Sequence, residues 1–251
     1  EKLAFNKETV FCNNSSKSNA FFSISFLWLN VRIWFTNSLA LSAAEMIEEV
    51  ASALADQKAV GWMQGRMEFG PRALGARSIL VKPTEVDTHK ELNRRLRRHD
   101  TMPFAPIVMA EHFDDLFYPS KSKYTSEFMT ICFSTKEEWI DRIPAVIQKS
   151  DKTARPQSVN KEKLPEFWEI LNEYYKLSNI PVLLNTSFNS HNEPIIENPN
   201  QAFSPLILGI IDELIIEDYA FGGKGIARIR SEEGVFVVFV PNTIPGQKVK
   251  A

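Results

Sequence analysis

From Ala44 onward the apolar positions fall into clear periods, whereas the residues before it show none. The stretch AAEMIEEVASALAD sets Met46, Ile47, Val50 and Leu54 on one stripe, the spacing of an amphipathic helix. KAVGWM is a short apolar run that predicts a buried strand, and SILVKP predicts a second after a loop rich in glycine and arginine. Asp87 precedes THKELNRRLRR and suits the cap of a helix. FAPIVMA, EFMTICFS, PVLLN and DELIIED read as further strands, and KLPEFWEILNEYYKL as a long helix. Pro205 interrupts the helical pattern of NPNQAFSPLILG, because proline lacks the amide that a helix interior uses. Strands and helices interleave with no internal repeat or low-complexity linker, which predicts an α/β fold with a mixed sheet.

The two ends fit this pattern less well. AFFSISFLWLN is apolar, but Asn30, Arg32 and Asn37 break the stretch before it reaches the roughly 18 residues of a membrane span. Lys2 and Lys7 precede it as in a secretory signal, yet the apolar run lies late and no A-x-A site follows directly. The chain opens with Glu rather than Met. Residues 1–43 are therefore set apart as an unassigned remnant or extension, 44–221 as the domain, and 222–251 as a weakly patterned peripheral segment. No membrane partner is expected.

Composition narrows the function. The 251 residues suffice for one sizeable α/β domain or two small ones; 44% are apolar and 24% charged, as in soluble proteins. A net charge of −2 argues against binding nucleic acid through bulk electrostatics, so any anion site must be a local cluster. Cys12 and Cys132 are the only cysteines and form no CxxC pair, which favours a reducing, cytoplasmic compartment. His89, His99, His112 and His191 are scattered, so no metal site is expected. No Ser-His-Asp or Cys-His nucleophile system stands out.

Four stretches carry the candidate chemistry. In GWMQGRMEFGPRALGARSIL, Arg66, Arg72 and Arg77 sit among Gly65, Gly70 and Gly75, with Glu68 the one carboxylate. Guanidinium forks match phosphate or carboxylate oxygens bidentately, and glycines let a backbone approach an anion closely. The loop is neither a Walker A motif nor a dinucleotide GxGxxG, and a solvated turn is the plain alternative. LNRRLRRHDTMPFAP holds Arg94, Arg95, Arg97 and Arg98 on more than one helix face. At least one pair should face solvent, while the rigid MPFAP that follows would aim Arg97 or Arg98 inward. In DKTARPQSV, Thr153, Arg155 and Gln157 would alternate onto one face of an extended segment. In PVLLNTSFNSHNEPII a buried strand runs into Asn185, Thr186, Ser187 and Asn189. Such polar side chains at a strand's carboxyl end commonly line a ligand crevice, although turns use the same residues. Arginine with small hydroxyls and amides is equipment for orienting and neutralising phosphates.

Together, in this order, the four stretches resemble the C-terminal domain of the O-carbamoyltransferase family, which includes nodulation protein U and tobramycin carbamoyltransferase. The likeness covers Ala44 to Phe221. It implies an open twisted α/β sheet of the YrdC-like (threonylcarbamoyl-adenylate synthase-like) type. It implies binding of ATP with Mg²⁺ and of carbamoyl phosphate, and formation of carbamoyl-adenylate. A separate N-terminal actin-like domain with a metal would then carbamoylate a hydroxyl acceptor. By resemblance, Arg72, Arg155 and Ser187 take the catalytic places. Arg66, Arg77, Arg97, Arg98, Asn185, Thr186 and Asn189 line the sites of the nucleotide and carbamoyl phosphate. No metal ligand is assigned in this chain. The sequence departs from the family at Gln148 and Lys152, where His and Gly are usual, and at His99, Asp100 and Thr101. Lys152 is bulky where glycine would suit the backbone. Competing readings are a nucleotide- or RNA-binding module of the same fold, and a non-catalytic remnant.

Overall fold

A computed structural model describes residues 23–26, 29–35, 43–120, 123–216, 225–231 and 234–240. In chain order the strands are β1 (Ser23–Phe26), β2 (Leu29–Phe35), β3 (Val60–Met63), β4 (Arg77–Val81), β5 (Ala105–Met109), β6 (Phe133–Ser134), β7 (Thr153–Ala154), β8 (Gln157–Val159), β9 (Val182–Ser187), β10 (Glu213–Ile216), β11 (Gly225–Ser231) and β12 (Gly234–Val240). The α-helices are α1 (Ala43–Ala55), α2 (Thr88–Arg95), α3 (Phe113–Leu116), α4 (Glu137–Ile140), α5 (Pro165–Ser178) and α6 (Pro199–Ile207). Eight strands form one open sheet in the order β1-β2-β10-β3-β4-β9-β5-β8. The sheet is mixed, as the interleaved pattern predicts. β4 runs antiparallel to both β3 and β9, and β9 to β5. β2, β10 and β3 run parallel to one another, and so do β5 and β8.

β3, β4 and β5 are buried at every position, which explains why none alternates apolar with polar residues, although β4 opens with the buried Arg77 and Ser78. On one face Val60, Trp62, Leu80 and Leu183 pack with Met46, Val50 and Leu54 of α1 and Phe167, Ile170 and Leu171 of α5. On the other, Ile79, Val81, Val182 and Leu184 pack with Leu92 of α2, Leu206 of α6 and the rings of Phe113, Phe117 and Phe133. Among the described residues, no helix is long and apolar enough to cross a membrane.

Three expectations need correction. EFMTICFS is not one strand: Lys123–Phe128 is a 3₁₀ helix and only Phe133–Ser134 is extended. Hydroxyl bonds from Ser126 to the Lys123 carbonyl and from Thr130 to that of Thr125 curl the backbone instead. Pro205 lies inside α6 rather than ending it, near the last turn, where a missing amide costs little more than one bond. The helix after Asp87 stops at Arg95, and the Asp87 side chain makes no capping bond. Residues 1–43, set apart in the sequence, supply β1 and β2, and β2 pairs with β10. In the 222–251 segment, β11 and β12 pair with each other in a two-stranded sheet.

Candidate functional site

The pairings Met63↔Arg77, Ser78↔Ser187, Ala105↔Asn185 and Ile107↔Gln157 bring all four motif stretches to one end of the sheet. There β3 and β9 end while β4, β5 and β8 begin. The long loop between β3 and β4 is built from within. Glu68 accepts hydrogen bonds from the Leu74 amide at 2.6 Å and the Ala76 amide at 2.7 Å. Gly75 has φ +124°, and a Cβ there would lie 2.9 Å from the Phe167 ring, so only glycine suits both backbone and neighbour.

Arg77 is buried at the start of β4, with its guanidinium turned into this loop. It donates to the carbonyls of Gln64 at 2.8 Å, Gly65 at 3.0 Å and Ala76 at 2.8 Å, and to that of Glu197 at 3.3 Å. Its visible work is to brace the loop. Buried Gln157 donates to the Leu74 carbonyl at 2.7 Å rather than forming an exposed polar wall with Thr153. Buried Asn185 donates to the Ala73 carbonyl at 3.0 Å and to the Gln157 side chain at 3.3 Å. These residues tie the first, third and fourth stretches together from behind.

Arg72 and Arg155 do the opposite. Each is half-buried, and among the described residues neither has a carboxylate partner. The Nε of Arg155 is fully shielded yet unbonded. Burial, then repulsion from the nearby Arg72, draws the Arg155 guanidinium below its ordinary pKa. Two neighbouring guanidiniums that lack a carboxylate partner among the described residues make a place for an anion.

A second cluster lies at the same end of the sheet. α2 closes with the Arg98 amide bonded to the Asn93 carbonyl and the Arg97 amide to that of Arg94. This Schellman arrangement needs a left-handed residue, and Arg97 supplies it at φ +56°. The reversal leaves Arg97 exposed and turns Arg98 inward, which decides between the two. Arg98 donates to Thr186 Oγ1 at 2.8 Å, and to Ser187 Oγ and Asn189 Oδ1, each at 3.3 Å. Ser187 Oγ in turn donates to Asn189 Oδ1. Burial lowers the pKa of Arg98 as well. Arg66 is exposed on the β3–β4 loop. Among the described residues, no group of three or more His, Cys, Asp or Glu is placed to hold a metal ion.

The family model described as "Carbamoyltransferase C-terminus" matches residues 51–222. The chain belongs to that family. The carbamoyltransferase C-terminal region is also similar to the nodulation protein NolNO of Sinorhizobium fredii, 35% identical over 180 residues, covering 70% of this chain and 26% of NolNO. The chain spans about a quarter to a third of the length of the curated relatives it matches. Among solved structures it is similar to a double variant of P. abyssi Sua5, with TM-score 0.54 and 12% identity over 74% of this chain and 52% of Sua5. It is likewise similar to full-length HypF in its phosphate- and nucleotide-bound form, with TM-score 0.51 and 19% identity over 68% of this chain and 24% of HypF. The fold is thus the open YrdC-like one. The bracing roles of Glu68 and Gln157 were not legible beforehand, since both contacts depend on where the loop folds back.

Proposed function

We propose that this carbamoyltransferase C-terminal domain binds ATP and carbamoyl phosphate and joins them into carbamoyl-adenylate, which a separate domain would use on a hydroxyl acceptor. The observation that carries this reading is the Arg72–Arg155 pair, two half-buried guanidiniums with no carboxylate partner among the described residues. The phosphate and nucleotide in the HypF structure, on a similar fold, agree with it. In the step envisaged, carbamoyl phosphate gives up its phosphate to water and leaves carbamate. A carbamate oxygen then attacks the α-phosphorus of ATP, and the bond to pyrophosphate breaks. Mg²⁺ would arrive with the nucleotide and neutralise phosphate charge. Arg72 and Arg155 would hold anionic oxygens, with donors fixed in advance where charge develops. Arg98 would present the Ser187 and Thr186 hydroxyls in one orientation. A cytoplasmic location, expected from the cysteines, suits both substrates.

The test is carbamoyl phosphate-dependent exchange of labelled pyrophosphate into ATP. The chain should catalyse exchange, and Arg72→Ala and Arg155→Ala should each cost about 2–4 kcal/mol of transition-state stabilisation while the fold persists. No exchange by the unaltered chain, or full exchange by both variants, would sink the proposal.

A further inference from the structure

A hydrogen bond joins the two segments that carry Arg72 and Arg155. Gln157 opens β8 and is buried, and its Nε2 donates to the Leu74 carbonyl at 2.7 Å. Leu74 follows Arg72 by two residues, and Gln157 follows Arg155 by two. Two residues of extended chain span about 7 Å at most, so each arginine stands on a short tether from the same bond. Both tethers are stiff. Pro156 fixes the backbone between Arg155 and Gln157. Ala73, between Arg72 and Leu74, is buried, and its carbonyl accepts from Asn185 Nδ2 at 3.0 Å. The repulsion of Arg155 by Arg72 agrees with the closeness that this bond imposes.

The Gln157 amide is held in one orientation. Its Oε1 accepts from Asn185 Nδ2 at 3.3 Å, which leaves Nε2 to face the Leu74 carbonyl. The opposite orientation would set nitrogen against nitrogen and oxygen against oxygen among buried groups, where an unmade bond is costly. Glu68 holds the same segment through the Leu74 and Ala76 amides, so Leu74 is bonded at both its amide and its carbonyl. Gln157 and Asn185 are uncharged, so they fix distance without giving either guanidinium a counter-charge. We infer that Gln157, aligned by Asn185, is a positioning residue: its bond to the Leu74 carbonyl sets the spacing of Arg72 and Arg155, so that the two guanidiniums grip one anion together. The inference rests on reading the pair as an anion site. It adds that arginines from two separate segments act as one site through this neutral bond.

The test is calorimetric binding of inorganic pyrophosphate to the full chain. Gln157→Met keeps the length of the side chain and removes both of its bonds, and it should bind pyrophosphate several-fold more weakly than the unaltered chain. What separates positioning from packing is how this change combines with the arginines. In the unaltered chain Arg72→Gln should weaken binding about tenfold or more, since a charge-assisted contact is lost. In the Gln157→Met background the same change should cost less than about threefold, because the spacing that joins the guanidiniums is already gone. Val50→Ala, a truncation in the core face of α1, should lower the melting temperature and leave pyrophosphate affinity as it was. A Gln157→Met chain that behaves like Val50→Ala overturns the inference, as does an equal cost of Arg72→Gln in both backgrounds. An unaltered chain that binds no pyrophosphate overturns it too. Should Gln157→Met not fold, Gln157→Asn takes its place with the same expected outcomes, because the shorter arm cannot span both partners. If the cost of Arg72→Gln depends on Gln157 while the chain shows no carbamoyl phosphate-dependent exchange, the spacer stands and the proposed function falls. Exchange that proceeds equally with and without the Gln157 bond leaves the proposed function standing and overturns the spacer.

Discussion

Lys152 shows how a single residue can be at odds with its backbone. It sits at φ +58°, a left-handed conformation that costs a residue with a Cβ roughly 1–2 kcal/mol. The turn requires it: the Lys152 amide bonds to the Gln148 carbonyl and the Gln148 amide to that of Thr153. That turn delivers β7 and, one residue later, Arg155. The compensating contact is an ion pair with Glu137 at 3.1 Å, with both side chains more than half exposed, and such pairs contribute little. Lys152→Gly should therefore raise stability by about 1 kcal/mol, allowing for glycine's greater entropy in the unfolded chain. Urea denaturation of the two proteins checks this; a less stable glycine variant would mean that the Glu137 pair outweighs backbone strain. Glycine is the residue that the family resemblance implies here, and the measurement would read how far the departure bears on stability.

At the level of elements, α2 is tied to the sheet by charges that the sequence offered as a basic run. Glu91 accepts from Arg94 at 2.7 Å and Arg95 at 2.9 Å, and Arg95 reaches Asp212 at 3.0 Å, just before β10. Hydrogen bonds from Arg94, then Arg95, hold the Glu91 carboxyl down at about 2. Its folded pKa lies below the unfolded value of about 4.3, so its contribution is present above that pH and is lost as pH falls toward 2. The group is largely solvated, and water screens such pairs enough to keep the effect small. Glu91→Gln should therefore cost a little stability near neutral pH and almost none in strong acid. Thermal melts across that range would show it; a pH-independent difference would assign the loss to packing. The same element shows what sequence could and could not tell. The stripe of α1 and the run of α5 were legible because burial repeats with the helical period, and β3, β4, β5 and β9 because short apolar runs mark strands buried on both faces. The basic run announced charge but not direction. Arg94 and Arg95 pair locally, Arg97 faces solvent and Arg98 reaches β9, because a left-handed residue reverses the chain between them. The site was legible as a residue inventory. Its division into bracing residues (Arg77, Asn185, Gln157) and residues that lack a carboxylate partner among the described residues (Arg72, Arg155) depends on long-range register.

For the whole molecule, the open question is what the first forty-two residues do for the domain. Among the described residues, the two core clusters run from Met46 to Leu214. β2 nevertheless covers β10 along Glu213↔Arg32 to Ile216↔Phe35, and without it β10 would pair on one side only. An uncovered apolar strand, ELII, is a template for pairing with another chain. We expect a chain lacking residues 1–42 to keep a cooperative unfolding transition and its pyrophosphate exchange, because the arginine loops lie on β3, β4, β8 and β9. It should self-associate more than the full chain, which sedimentation velocity across a concentration series would reveal. Loss of the cooperative transition would show that β1 and β2 are part of the folding unit. A monomer at all concentrations would show that β10 is protected by something other than β2.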